Sequence, residues 1–315
     1  MPIRTLVSVI FLAICMPMTA NAAPFAYVPN EGSGSLSVID TATDKVVAEI
    51  AAGKKPRGTV ISLDGSTAYV SDQPGNQLVT VDLVARKQSG VIALGESPEG
   101  VGISADGRWV AVAVEETNDV VFVDTRTRRK AFVVQIRGKN PEHAVFTPDG
   151  KYVFVSAEDG ESVDVIEFAK RAVVAQIAVG ARPRGIGFAP DSKTAYVAAE
   201  NASEVYVIDA VNFSVRTKIK AGLRSNGITV HPDGKRVFIS NGGDATVSVL
   251  DVASNTISAT IPVGQRPWNM ALTPDGKKLY VACGRSGTVS VIDTERNLKL
   301  TDIPVGKLPW GVAIR

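Results

Sequence analysis

The sequence has 315 residues, of which 45% are hydrophobic and 21% are charged, a composition typical of globular rather than disordered proteins. Lys and Arg total 34, and Asp and Glu total 32. The near balance excludes a strongly basic field of the kind that attracts nucleic-acid backbones. We therefore expect a folded protein without a nucleic-acid partner.

The first 22 residues have the pattern of an export signal. Arg4 precedes an apolar run from Leu6 to Met16, and Ala20 and Ala22 form a small-x-small cleavage site. We expect residues 1–22 to be a signal peptide and residues 23–315 to be one periplasmic domain. No later apolar run approaches the roughly 20 residues that a membrane span requires, so we expect no transmembrane segment in the mature protein.

The rest of the chain repeats a unit of about 42 residues, which is the signature of a repeat architecture. Each unit contains a glycine, Pro-x-Gly, an apolar strand, Asp-Gly, Tyr-Val and a Val-x-Val-Ile-Asp strand. Successive glycines are 42 or 43 residues apart; they are Gly53, Gly95, Gly138, Gly180, Gly222, Gly264 and Gly306. Seven units of four short strands predict an all-β, seven-bladed β-propeller.

The two ends of the chain predict how the ring closes. Tyr27-Val28 has the pattern of the second strand of a unit, whereas residues 309–315 have the pattern of a first strand. We expect the C-terminal strand to complete the N-terminal blade, which leaves no open sheet edge.

Asp-Gly or Asp-Ser follows the first strand of six units, and we interpret these aspartates as turn residues rather than catalytic acids. They are Asp64, Asp106, Asp149, Asp191, Asp233 and Asp275.

The Pro-x-Gly segments predict a candidate site. In a propeller these loops lie around the mouth of the axial channel, and here their side chains differ from unit to unit. The predicted ligand-binding residues are Arg57, Glu99, Glu142 with His143, Arg184, Asn226, Trp268 with Asn269, and Trp310. Guanidinium and indole groups in this arrangement would bind a carboxylated or aromatic small molecule. The alternative is a solvated rim of local ion pairs.

Several chemistries lack the residues that they need. His143 and His231 are predicted on opposite faces, and Cys283 is the one cysteine after residue 22, so no zinc or copper ligand set and no internal disulfide are expected. We expect no bound cofactor and interpret Cys283 as a small buried residue. His143 is either a general base beside Glu142 or a hydrogen-bonded lining residue. Calcium held by carboxylates of the mouth stays an open alternative.

Tyr-Val followed by Val-x-Val-Ile-Asp and Val-Gly-x-x-Pro, as in residues 195–209 and 263–267, resembles the YVTN β-propeller family over the whole mature chain. Length, signal and repeat number look most like the exported propellers associated with PQQ-dependent catabolism in Gram-negative bacteria. This resemblance implies a non-catalytic accessory protein that works beside a periplasmic quinoprotein dehydrogenase or its cytochrome c, binding a small ligand or redox partner at the mouth.

The alternative is an enzyme. Seven-bladed lactonases use a related propeller, and in that case Arg57, Glu99, Glu142, His143 and Arg184 would polarise a lactone carbonyl and transfer a proton. A third hypothesis is a scaffold that binds a partner protein on its flat outer face.

Overall fold

Twenty-eight strands form seven antiparallel four-stranded sheets in residues 24–315, the part of the chain that this computed structural model describes. Each sheet is one blade of a ring, so the predicted seven-bladed β-propeller is confirmed. The predicted signal peptide, residues 1–22, lies outside the described residues. Within residues 24–315 no helix is long and apolar enough to cross a membrane.

The strands are numbered in chain order. Blade 1 contains β1 (Phe25–Asn30), β2 (Ser35–Asp40) and β3 (Lys45–Ala51), and it also contains the last strand, β28 (Ala313–Ile314). Blade 2 contains β4 (Pro56–Ile61), β5 (Thr67–Asp72), β6 (Gln77–Asp82) and β7 (Lys87–Ala93), with a short 3-10 helix at Gln73–Gly75. Blade 3 contains β8 (Pro98–Ile103), β9 (Trp109–Val114), β10 (Asp119–Asp124) and β11 (Arg129–Gln135).

The remaining four blades follow the same order from the axis to the rim. Blade 4 contains β12 (Pro141–Phe146), β13 (Tyr152–Ala157), β14 (Ser162–Glu167) and β15 (Ala172–Ala178). Blade 5 contains β16 (Pro183–Phe188), β17 (Thr194–Ala199), β18 (Glu204–Asp209) and β19 (Ser214–Lys220). Blade 6 contains β20 (Ser225–Val230), β21 (Arg236–Asn241), β22 (Thr246–Asp251) and β23 (Thr256–Pro262). Blade 7 contains β24 (Pro267–Leu272), β25 (Lys278–Cys283), β26 (Thr288–Asp293) and β27 (Leu298–Pro304).

The hydrophobic core lies between neighbouring blades. The two middle strands of each blade are buried on both faces, which explains their continuous Val, Ile and Tyr content. Phe238 of blade 6, for example, packs in one cluster with Leu279 and Val281 of blade 7. The outermost strands instead alternate between exposed and partly buried residues, because one face of each lies at the rim.

The first blade is closed by the C-terminal strand, as the sequence predicts. Ala26 pairs with Ile314 and Tyr27 with Ala313. Backbone hydrogen bonds between Phe25 and Arg315 run in both directions, at 2.9 and 3.0 Å. These bonds satisfy the inner edge of β1 and tie the two ends of the described chain together.

The repeated glycine has a steric cause. Gly138 precedes the innermost strand of blade 4 and packs against the end of the second strand of that blade. A Cβ atom on Gly138 would lie 2.4 Å from the Cβ of Ala157, which no side chain tolerates. The corresponding contact recurs between Gly95 and Val114, at 2.9 Å, so the position excludes side chains in successive blades.

The Asp-Gly turns lie on the face opposite the mouth and are structural, as predicted. The Asp275 carboxylate accepts hydrogen bonds from Thr273 Oγ1 at 2.6 Å and from the Lys277 amide at 3.1 Å. These bonds lower the pKa of Asp275. His231 belongs to the same face, where its Nε2 lies 3.2 Å from the Gly276 carbonyl oxygen.

Candidate functional site

Three loop positions from each blade meet around the axial mouth. The first follows the entry proline or, in blade 6, a serine: Arg57, Glu99, Glu142, Arg184, Asn226, Trp268 and Trp310. The second position immediately precedes the same proline or serine: Lys55, Ser97, Asn140, Arg182, Arg224, Arg266 and Leu308. The third follows the second strand: Glu31, Gln73, Glu115, Glu158, Glu200, Gly242 and Gly284. We call these three sets together the mouth.

The backbone of the mouth is held in an unusual conformation. Arg182, Arg224 and Arg266 have φ angles of 60, 57 and 56°, in the left-handed region that bulky residues rarely adopt. The same conformation occurs at Ser97 and Asn140, so it belongs to the entry loop of the propeller rather than to one residue type. It leaves all three arginine side chains next to one carboxylate, that of Glu200.

A cavity of about 350 Å³ occupies the mouth. Six of the predicted site residues line it, and they come from six different blades: Arg57, Glu142, Arg184, Asn226, Trp268 and Trp310. The structure therefore brings together most of the predicted set. Glu99 does not line this cavity, because its side chain is fully buried behind Arg57.

Arg57 is bound by carboxylates of its own chain. Its Nη1 donates a short hydrogen bond to Glu99 Oε1, and its Nη2 lies 3.3 Å from Glu31 Oε1. Gln73 Nε2 donates to the same Glu99 oxygen at 2.9 Å. Burial, and then the nearby charge of Glu142, raise the pKa of Glu99 to about 8, although Arg57 acts in the opposite direction. Arg57 is thus engaged by Glu99 rather than free for a bidentate ligand contact.

Arg184 is the centre of a second ion network. Its guanidinium contacts Glu142 through a short hydrogen bond, Glu158 at 2.7 Å and Glu200 Oε2 at 3.0 Å. Burial alone would raise the pKa of Glu142, but the charge of Arg184 holds it below its usual value. Burial and the adjacent Glu142 raise the pKa of Glu158 to about 8. At neutral pH Glu158 is therefore mostly a protonated carboxyl group that lines the cavity.

Glu200 connects three blades through their arginines. It has no solvent exposure, and it accepts from Arg224 and Arg266 at 2.9 Å each, while Arg182 lies 3.4 Å away. Burial would raise its pKa, but the four surrounding guanidinium groups, with Arg184 the largest contribution, lower it. Glu200 is therefore an ionised anchor that positions cations around the cavity.

His143 lies one layer deeper than predicted. It lines a separate cavity of about 100 Å³ in the axial channel, together with Asn269. Its ring stacks on Trp310, with 5.5 Å between centroids and 19° between planes. No hydrogen bond joins the His143 and Glu142 side chains among the described residues, and burial lowers the pKa of His143, so it is neutral at pH 7. In this structure His143 is a lining residue of the channel that stacks on Trp310.

Most of the charged residues of the mouth were not in the predicted set. Arg182, Arg266, Glu158 and Glu200 occupy the positions before the entry proline and after the second strand. A signal was present, because the positions after the second strand recur every 42 or 43 residues and carry Glu or Gln in the first five blades. Comparing those loops across units would have identified Glu158 and Glu200.

Several unpaired buried polar atoms lie near the axis. Nine buried side-chain polar atoms in residues 24–315 have no hydrogen-bond partner. Three of them belong to the axial residues Arg57, Glu99 and His143, whereas two others, Glu158 Oε1 and Arg182 Nε, lie 2.7 and 3.2 Å from ion-pair partners. Buried polar groups are normally paired, so Arg57, Glu99 and His143 retain unused bonding capacity near the axis. Within residues 24–315 no group of three or more His, Cys, Asp or Glu residues is arranged to hold a metal ion.

Comparisons with known proteins agree with this architecture. The lactonase family with a 7-bladed β-propeller matches residues 169–304, and the YNCE-like β-propeller family matches residues 38–236, more than half of the chain. A comparison with curated proteins found no match.

Solved structures with low sequence identity share the fold. Hydrazine synthase from Kuenenia stuttgartiensis aligns with a TM-score of 0.79 and 24% identity over 85% of this chain and 92% of that one. A functionally unknown protein from Desulfotomaculum acetoxidans has a TM-score of 0.81 and 17% identity over 92% and 98%. A candidate 6-phosphogluconolactonase from Bacteroides uniformis has a TM-score of 0.78 and 20% identity over 94% and 100%. On the family match, this chain belongs to the YNCE-like β-propeller family.

Proposed function

We propose that this protein is a non-catalytic binding protein whose mouth takes up a small organic anion. The observation that carries this proposal is the cavity of about 350 Å³, whose lining contains four arginines and two indole rings together with three glutamates. Its volume lies within the range of small-molecule sites, roughly 300–1,000 Å³.

The charges of the mouth favour an anion. The arginines are Arg57, Arg182, Arg184, Arg224 and Arg266, and the carboxyl groups are Glu31, Glu99, Glu115, Glu142, Glu158 and Glu200. Because Glu99 and Glu158 have pKa values raised to about 8, both are mostly neutral at pH 7. The guanidinium groups then outnumber the ionised carboxylates, and a bound anion would restore the balance.

The indole rings favour a planar ligand. Trp268 and Trp310 lie with ring centroids 6.5 Å apart and planes at 62°, so they form two walls of one corner. An aromatic or conjugated group can stack on one wall while its edge contacts the other. Trp310 is already held by His143 beneath it, which makes this wall rigid before a ligand arrives.

Benzoate is a direct probe of this site. Isothermal titration of benzoate should show binding to the wild type and about tenfold weaker binding to Arg182→Ala, which removes one charged partner. Arg216→Ala is the matched control, because Arg216 is an exposed arginine paired with Asp209 outside the cavity lining. Equal benzoate affinity in all three proteins, or no binding to the wild type, would overturn the proposal.

The wider role proposed is that of an exported accessory protein in PQQ-dependent alcohol catabolism, with a periplasmic quinoprotein dehydrogenase or cytochrome c as partner. The repeat motif and the signal-like first 22 residues support this role. Gentle purification of the tagged protein from its own periplasm tests it, with copurification of a quinoprotein or c-type cytochrome as the expected result. A cytoplasmic location, or a partner without either cofactor, would contradict it.

Lactone hydrolysis is the second candidate. The match to the lactonase family over residues 169–304 supports it, as does Glu158, which lines the cavity with a pKa of about 8. In its ionised form Glu158 would take a proton from a water molecule that attacks the lactone carbonyl. The ring C–O bond then breaks, and the departing oxygen is protonated to give a hydroxy acid.

Gluconolactone hydrolysis measured against the uncatalysed rate distinguishes the two candidates. The enzyme hypothesis expects activity in the wild type that falls at least about a hundredfold in Glu158→Gln. Glu204→Gln is the control, because Glu204 pairs with Lys218 on the rim strands. Hydrolysis at the uncatalysed rate in the wild type would support the binding function.

A further inference from the structure

Another cavity, of about 250 Å³ and distinct from the one that His143 lines, adjoins the mouth at blades 6 and 7. We call it the second cavity. It shares Arg266 and Trp268 with the first cavity, so the two form neighbouring parts of one surface. The residues that line it are Arg224, Arg266, Trp268, Gly284, Arg285 and Leu308.

This cavity exists because two blades depart from the repeat. The residue after the second strand is Glu or Gln in blades 1 to 5 but glycine in blades 6 and 7, at Gly242 and Gly284. A Cβ on Gly284 would lie 3.6 Å from Cε3 of Trp268, so a longer side chain there would lie against the indole. A Cβ on Gly242 would lie 3.1 Å from Nη1 of Arg266. The two glycines therefore place no side chain against the Trp268 ring or the Arg266 guanidinium.

The same departure removes two carboxylates from this side of the mouth. The second cavity is lined by three arginines and by no acidic residue. Arg224 and Arg266 share the single carboxylate of Glu200, whereas Arg285 is exposed and forms no ion pair among residues 24–315. The cavity therefore has an excess of positive charge that the chain itself does not neutralise.

An apolar surface joins the two cationic regions. Trp268 lies between them, with the Arg266 guanidinium 5.8 Å from its ring centroid. Leu308 also lines the second cavity and is 43% exposed. A flat ring system lying on Trp268 would have cationic groups beyond both of its ends.

We propose that the second cavity is an anion subsite and that the ligand is an elongated planar dianion. One carboxylate would bind among the arginines of the mouth, the ring system would stack on Trp268, and the second carboxylate would bind Arg224 and Arg285. This inference rests on the proposed anion-binding function, and it specifies the ligand class.

A matched pair of probes tests the second subsite. Biphenyl monocarboxylate and para-linked biphenyl dicarboxylate have the same rings and differ by one carboxylate. We expect the dicarboxylate to bind the wild type about tenfold more tightly by isothermal titration, because it gains a charge-assisted contact. Arg285→Ala should abolish that advantage and leave the affinity for the monocarboxylate unchanged. Gly284→Glu, which restores the residue type of the other blades, should also remove the dicarboxylate advantage through repulsion, and it should weaken both probes because its side chain would lie against Trp268.

Arg296→Ala is the control, since Arg296 is an exposed arginine of blade 7 on the opposite face. Equal affinity for the two probes, or a dicarboxylate advantage that survives Arg285→Ala, would overturn the second subsite and leave the proposed function intact. Binding of benzoate but of neither biphenyl probe would overturn the subsite alone, and failure to bind benzoate as well would reject the anion-binding function with it.

Discussion

The two faces of the ring use the same repeated scaffold in opposite ways. On the face of the Asp-Gly turns, Asp64, Asp106 and Asp275 each accept a hydroxyl two residues earlier and an amide two residues later. At the mouth, by contrast, equivalent positions hold Arg, Glu, Asn and Trp. The contrast separates positions that shape a blade from positions that form a site.

The difference follows from the range of the interactions. An Asp275 turn is satisfied within its own loop, so each blade can use the same solution independently. Glu200 and Arg266 lie 66 positions apart, and Arg57 and Glu99 lie 42 apart. Mouth residues depend on partners in other blades, so identical residues in every blade would place like charges together.

Removing the central carboxylate should be the most damaging change at the mouth. Glu200→Ala leaves four guanidinium groups around an empty position, and breaking a buried ion network in this way costs about 3–5 kcal/mol. We expect a lower urea midpoint at pH 7. Glu200→Gln, which keeps the shape, is the companion variant. An unchanged midpoint in Glu200→Ala would show that the network does not stabilise the ring.

A change at the repeated glycine should affect the scaffold without touching the site. Gly138→Ala places a methyl group 2.4 Å from Ala157 Cβ, and overpacking of this kind costs about 1–3 kcal/mol. Thermal unfolding should detect the loss. Gly284→Ala is the control, because a Cβ there meets no atom closer than 3.4 Å. Equal melting temperatures for the two variants would refute the steric explanation of the repeat.

Substitutions on the opposite face should lower the stability of the protein without changing its affinity for benzoate. Asp275→Ala removes an acceptor of two hydrogen bonds, so we expect a loss of about 1 kcal/mol in the free energy of unfolding and no change in benzoate affinity. Asp275→Asn retains an acceptor oxygen and should lose less. Weaker benzoate binding in Asp275→Ala would break the separation between the two faces.

A pH dependence is also expected at the mouth. The pKa of Glu158 is raised from 4.5 to about 8, so the folded chain keeps a proton that the unfolded chain releases. Its contribution to stability is full below the unfolded pKa and is lost as pH rises through about 8. Benzoate affinity should fall a few-fold over the same rise, because ionised Glu158 repels the ligand.

Glu158→Gln should flatten both profiles, measured by thermal unfolding and by benzoate titration at about pH 6 and about pH 9. If the pH dependence persists in Glu158→Gln, another group must be titrating, and Glu99 would be the next residue to substitute.

Local patterns were sufficient to predict the scaffold. The alternation of β-branched residues and the Asp-Gly turns predicted the four-stranded blades and their turns. The chain starts with the pattern of a second strand and ends with that of a first strand, which predicted the pairing between residues 24–30 and 309–315. Each of these features depends on a few neighbouring residues or on one period, which a sequence displays directly.

The candidate site was only partly predictable. The position after the entry proline correctly placed Arg57, Arg184 and Trp268 around one mouth. The same alignment put Glu99 and His143 beside them, although Glu99 is buried behind Arg57 and His143 lies in the channel below. Depth along the axis depends on how closely seven strands approach one another, which the sequence of one unit does not contain.

The sequence by itself determined the number of blades, their strand order and the closure of the ring, because repeated short-range patterns specify them. Only the tertiary structure decided that Glu200 forms ion pairs with Arg182, Arg184, Arg224 and Arg266. It also decided that an arginine-lined cavity lies beside the glycines of blades 6 and 7. The physical reason is that charges act through space, so their effect is set by which blades the closed ring makes neighbours.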